Sequence, residues 1–201
     1  MATYLQLYAV SDSNIAILKK HPPYIQRLLN PDIAESMEHS VHLGKPLGFW
    51  ASVLVSKKAA QESPPVFVSP EGATLDLDRA WPGIHFLLTG SAQQGINPQG
   101  FLIGGGSVIG EAGDGWMALS AAETREIAQA LAPFDRERLR RRYHAATLHA
   151  LKIAPQDRWA DIDDKEAMED DFVWLFEYFE QLQVFLKETV ANGLGMVKEI
   201  S

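Results

Sequence analysis

Apolar and polar positions along the chain follow two periods, and the switches between them mark the elements. Thr3 to Val10 (TYLQLYAV) is β-like, and Ser11 or Asp12 then offers an N-cap to a short helix ending near His21, ahead of Pro22-Pro23. Between Asn30 and Thr74 the periodicity is poor and Pro, Ser and Gly recur; there, Glu62 to Gly72 reads as a loop around a short strand at Val66 to Val68. In the stretch DLDRAWPGIHFLLTG the period becomes helical. Trp81, Ile84, His85 and Leu88 share one stripe, with Asp78 as the expected N-cap, Pro82 confined to the first turn and Gly90 at the end.

FLIGGGSVIG (Phe101 to Gly110) reads as a strand interrupted by glycines, which points to a bulge or to close approach of two backbones. Ser120 and Glu123 form a capping box opening a helix through Leu131, and Pro133 ends it. Asp135 caps a further helix, DRERLRRRYHAATLHAL, in which Leu139, Tyr143 and Ala146 are expected inside and the arginines mostly outside. A long amphipathic helix follows, about Glu166 to Ala191, with Phe172, Leu175, Phe176, Phe179, Leu182, Phe185 and Leu186 on its apolar face; Asn192-Gly193 stops it, and GMVKEIS returns as a strand. The sum is one α+β domain over residues 1–201, a small mixed sheet covered by several helices.

Composition narrows the class. A chain of 201 residues, 46% hydrophobic, is long enough for a substantial core, and a formal charge of -8 argues against nucleic acid, whose phosphates need positive faces. There is no Cys, hence no disulfide, thiolate nucleophile or Cys-held zinc, which fits a cytoplasmic protein. The start lacks the marks of a secretory signal, and the most apolar run, Leu47 to Val55, is far short of the roughly 20 residues a bilayer span takes. No membrane association is expected.

Candidate chemistry centres on His85. An imidazole in an apolar stripe suits a general base or a ligand, with Thr89 as a hydroxyl beside it; the blander reading, a core histidine donating to a carbonyl or to Asp76 or Asp78, with Thr89 as a helix cap, is preferred. Gly104 to Ser107 is no phosphate loop, since no Lys follows and Ile109 stands where a third glycine belongs. The glycine run still brings backbone near Glu111 and Asp114, so a pocket between the His85 helix and the Gly104 to Gly115 loop would take Trp81, Gly105, Gly106, Glu111 and Asp114 as its ligand-binding residues. Glu35, Glu38, His39 and His42 could share a helix face but read as solvated surface, and Asp161 to Glu166 fails as a calcium loop because Glu166 replaces the turn glycine. No metal or cofactor is expected.

Charge is segregated. Arg136, Arg138, Arg140, Arg141 and Arg142 form a basic patch, whereas Asp157 to Glu180 holds ten acids against two bases. The two surfaces read as complementary within the fold or between copies; alternatively Arg140, Arg141 and Arg142 would engage a protein partner.

The ordered series DLDRAWPGIHFLLTG, FLIGGGSVIGEAGDGW, LSAAETREIAQALAPFDRERLRRRY, Trp159 and the aromatic helix before GLGMVKEI resembles the YfbM-like family, a bacterial domain of unknown function (1877), over about Leu75 to Ile200. The resemblance implies a single bacterial α+β domain and no established activity. His85, Thr89 and Gly90 fit its pattern. A GYGP turn followed by an Arg is absent where this chain has Gly113 to Ala118, an IYP step becomes Ile153-Ala154-Pro155, and His144 stands where an Asp is common. The leading expectation is therefore a non-enzymatic binding or protein-interaction module, and the alternative a small enzyme or ligand-binding protein using the His85 pocket.

Overall fold

The computed structural model describes residues 4–29, 67, 72–93, 95–111, 113–160 and 163–201. The expected strand at Val66 to Val68 and the Glu35, Glu38, His39 and His42 face lie outside the described residues, apart from Phe67.

Strand β1 (Leu5–Val10) leads into α1 (Asp12–Lys20), whose N-cap Ser11 accepts a hydrogen bond from the Asn14 amide, and the short α2 (Ile25–Leu29) follows. Next come β2 (Thr74–Asp76), α3 (Trp81–Thr89), β3 (Ser107–Val108) and β4 (Trp116–Leu119). Three helices then leave the sheet, α4 (Ala121–Leu131), α5 (Arg136–Arg140) and α6 (Ala145–Ala150), before the long α7 (Lys165–Ala191) brings the chain back to β5 (Gly195–Ile200). The strand order is β2-β1-β5-β4-β3, which places the two chain ends side by side at the centre.

The α+β class stands as read. Where a mixed sheet was expected, every pairing among the described residues is antiparallel. The helical excursion from α4 to α7 explains the central case: it starts beyond Leu119 and returns to Met196, the residue paired with Leu119, so β5 must run back along β4.

Alternation along the strands buries both faces of the sheet. Leu5, Leu7, Ala9 and Met196 belong to the large core with α3, α4 and α7, whereas Tyr8, Val10, Ala118 and Val197 pack with Ile15 and Leu18 of α1 and Ile25 of α2. Phe172, Leu175, Phe179 and Leu182 of α7 are fully buried in the large core, each contributing about 1.5–3 kcal/mol of burial free energy.

The capping box of Ser120 and Glu123 forms as read. Three local expectations are corrected. Asp78 does not cap α3; Ala80 occupies that position without a side-chain bond, and Asp78 sits at φ 45 with its amide donating to the Asp76 carboxylate. The single basic helix is two, because the chain leaves α5 at Arg141 and Tyr143 turns its ring onto Trp159 and Phe172 before His144 starts α6. That break shifts the helical phase, so Ala145 is buried and Ala146 exposed. Phe101 to Gly104 forms turns rather than strand, and pairing is confined to Ser107 and Val108. Gly106 (φ 84) meets the expectation of close backbone approach: a Cβ there would lie 2.7 Å from the Ala118 carbonyl oxygen.

Candidate functional site

Helix α3 begins with Pro82 in its first turn and ends on Gly90 at φ 75, so its apolar stripe is held between a rigid start and a left-handed stop. Trp81, Ile84, His85 and Leu88 are all buried, His85 completely. Gly95 lies against the imidazole, where a Cβ would come within 3.1 Å of Cε1. Thr89 Oγ1 donates to the His85 carbonyl at 2.8 Å and accepts from the Ser91 amide at 3.1 Å, so its hydrogen is committed to the helix end. His85 is thus buried in the core, and Thr89 is the last residue of α3, its hydroxyl bonded back to the preceding turn, while Gly90 takes the cap position.

The basic segment divides in two. Arg136 and Arg140 both reach Glu169 of α7, at 3.4 and 3.0 Å, and Arg141 pairs with Glu137 at 3.7 Å. The acidic helix also supplies Asp171, bonded to Arg158 at 2.7 Å; burial raises the Asp171 pKa while that arginine lowers it. The expected complementarity within the fold is therefore present. It takes Arg140 into an ion pair with α7, Arg141 pairs within its own segment, and Arg142 has neither, so the three do not form one unpaired face.

Arg138 of α5 and Arg142 just beyond it remain, with no carboxylate partner among the described residues. Both lie over the Phe134 ring, their guanidinium carbons 4.4 and 5.3 Å from its centroid. Arg142 Nη1 also donates to the carbonyls of Leu87 (2.9 Å) and Leu88 (2.7 Å), tying the C-terminal end of α3 to the basic segment. Between these parts lies a cavity of about 570 Å³, lined by Leu88, Thr89, Ser91, Gly95, Ile96, Gln99, Phe134, Arg138 and Arg142. No carboxylate is among its walls.

The glycine loop faces a different cavity, of about 690 Å³, lined by Pro22, Pro23, Ile25, Ile109, Gly110, Glu111, Asp114 and Trp116. Glu111 and Asp114 come together there, with the Asp114 carboxylate accepting from the Glu111 amide at 2.8 Å. Trp81, Gly105 and Gly106 do not line it, nor does any residue of α3.

One residue that the reading of the sequence missed is Lys198. Its Cα is paired with that of Leu7, it is wholly buried, and its Nζ donates to the carbonyls of Phe101 (2.6 Å) and Gly104 (3.0 Å). Burial lowers its pKa to about 8, so at neutral pH it is mostly an ammonium held by backbone oxygens. The signal was available: Lys198 falls two residues after Met196 and so on the core face of β5. Among the described residues no group of three His, Asp or Glu side chains could hold a metal, and no helix is long and apolar enough to cross a membrane.

Fold and site together define a single-domain α+β protein with an arginine-lined pocket under the end of one buried helix. The chain belongs to the family described as "Domain of unknown function (DUF1877)", which matches residues 1–198. The match reaches across the first third of the chain, where the motifs resemble the family only loosely. In fold the chain is similar to a solved protein of unknown function, YfbM from Escherichia coli, with 17% identity, 100% of each chain covered and a TM-score of 0.62. No curated protein matches the sequence significantly.

Proposed function

We propose that this protein is a non-catalytic binding module of the bacterial cytoplasm and that the cavity between the end of α3, the 91–99 loop and α5 is its recognition site, selective for a negatively charged group. The observation that carries this reading is the distribution of charge: in a chain of net charge -8, Arg138 and Arg142 stand without carboxylate partners among the described residues and line the same cavity. Guanidinium groups stacked on an aromatic ring are held in place before a ligand arrives, which lowers the ordering cost of binding. The Phe134, Leu88 and Ile96 walls supply apolar contact, and a volume of about 570 Å³ lies within the range of small-ligand pockets.

The test is an amide-resolved NMR titration of the full chain with a mixture of small carboxylates and phosphates. Shifts concentrated at Thr89, Ser91, Ile96 and Gln99, and absent from the Arg138→Glu variant, support the reading. Shifts elsewhere, or the same shifts in the variant, sink it.

A further inference from the structure

Resting on that reading of the cavity, we infer that its ligand is a phosphate monoester on a small apolar or aromatic body, rather than a carboxylate. The argument is one of charge and shape. Two guanidinium groups bring about two positive charges, and the C-terminal end of α3, whose Leu87 and Leu88 carbonyls Arg142 holds, sets about half a negative charge against them. The balance, about +1.5, matches the charge of about -1.5 to -2 that a phosphate monoester carries near pH 7. A carboxylate leaves part of it uncompensated.

Geometry agrees. Arg142 spends Nη1 on the α3 carbonyls, so its remaining N–H groups and the whole Arg138 fork are the donors left for a ligand. Two forks over one ring suit an oxyanion with three terminal oxygens better than one with two. Gln99 lines the same cavity from the opposite loop, and the apolar walls Leu88, Ile96 and Phe134 leave a place for the esterified body. The carbonyl ends of α3 would repel an anion if left bare, and Arg142 covers them.

The experiment is calorimetric titration of the full chain with phenyl phosphate, benzoate, inorganic phosphate and a phosphoserine peptide, on the natural protein and on Arg138→Gln and Arg138→Lys, with the melting temperature of each as a check on folding. Phenyl phosphate should bind best, should weaken at least about tenfold in Arg138→Gln, and should recover only partly in Arg138→Lys, which restores the charge without the fork. Benzoate binding as tightly as phenyl phosphate, with the same loss in Arg138→Gln, would overturn the phosphate assignment and leave the anion-binding reading intact. Preference for the peptide overturns the small-molecule assignment. No binding of any anion, or binding indifferent to Arg138, overturns both.

Discussion

Lys198 and the Arg138–Arg142 pair solve the same problem in opposite ways. Each of the two regions sets a cation against backbone carbonyls at the end of a turn or helix: Lys198 against Phe101 and Gly104, Arg142 against Leu87 and Leu88. Lys198 is wholly buried and its donors point at main-chain oxygens, so its charge is consumed by the fold. The arginines border an open cavity, stack on Phe134 and keep donors in hand. Desolvation separates them: a buried ammonium gives up part of its basicity, whereas a guanidinium, with an intrinsic pKa above about 12, stays charged. The core cation is thereby suited to holding the 101–104 turn, and the cavity pair to meeting something from outside.

The largest effect that would sharpen this contrast is the pH dependence of stability. Because the folded pKa of Lys198 (about 8) lies below its ordinary 10.5, the unfolded chain binds the extra proton between those values, and stability rises with pH across that window. Taken alone, this lysine adds about 2–3 kcal/mol between pH 7 and pH 10. From about pH 9.5 the net trend reverses, since burial raises the pKa of Tyr8, Tyr143 and Tyr178 and the unfolded chain loses their protons first. Urea denaturation at a series of pH values measures the slope. A flat profile between pH 8 and 10 would mean that the ammonium is solvated and that the contrast with the arginines is false.

Next in size comes Lys198→Met. It keeps the length of the side chain and removes the donor from the carbonyls of residues 101–104, of which Phe101 and Gly104 are the nearest; losing the buried charge offsets part of the cost, leaving about 2 kcal/mol of destabilisation and no rise in stability from pH 8 to 10. If the variant equals the natural protein in stability, the lysine is tolerated by the core rather than used by it.

These two residues also mark what the sequence makes legible. Elements with local punctuation can be read directly: Ser11 and Ser120 cap helices, Gly90 and Gly193 stop them, and α7 carries its apolar face through the whole period. The break between α5 and α6 carries no such mark, because it follows from Tyr143 joining Trp159 and Phe172, contacts made with distant parts of the chain. The cavity was hidden for the same reason, its walls coming from the end of α3, the 91–99 loop and α5. One part was open to view, since Phe134, Arg138 and Arg142 recur every four residues, a helical stripe inside a run that reads only as basic. His85 drew attention by its residue type, and the structure places it wholly inside the core rather than at the edge of either cavity.

The smallest effects test whether the two arginines divide their labour. Arg142→Ala frees the Leu87 and Leu88 carbonyls at a largely exposed position and should cost about 1 kcal/mol of stability, seen as a small fall in the urea midpoint with an unchanged slope. Arg138→Gln gives up only its stacking on Phe134 and should cost about 0.5 kcal/mol or less, while carrying the larger loss of anion binding. The ordering matters more than either value. If Arg138 proves the costlier of the two to fold stability, its guanidinium is a structural clamp like Lys198, and the cavity loses the cation on which its selectivity rests.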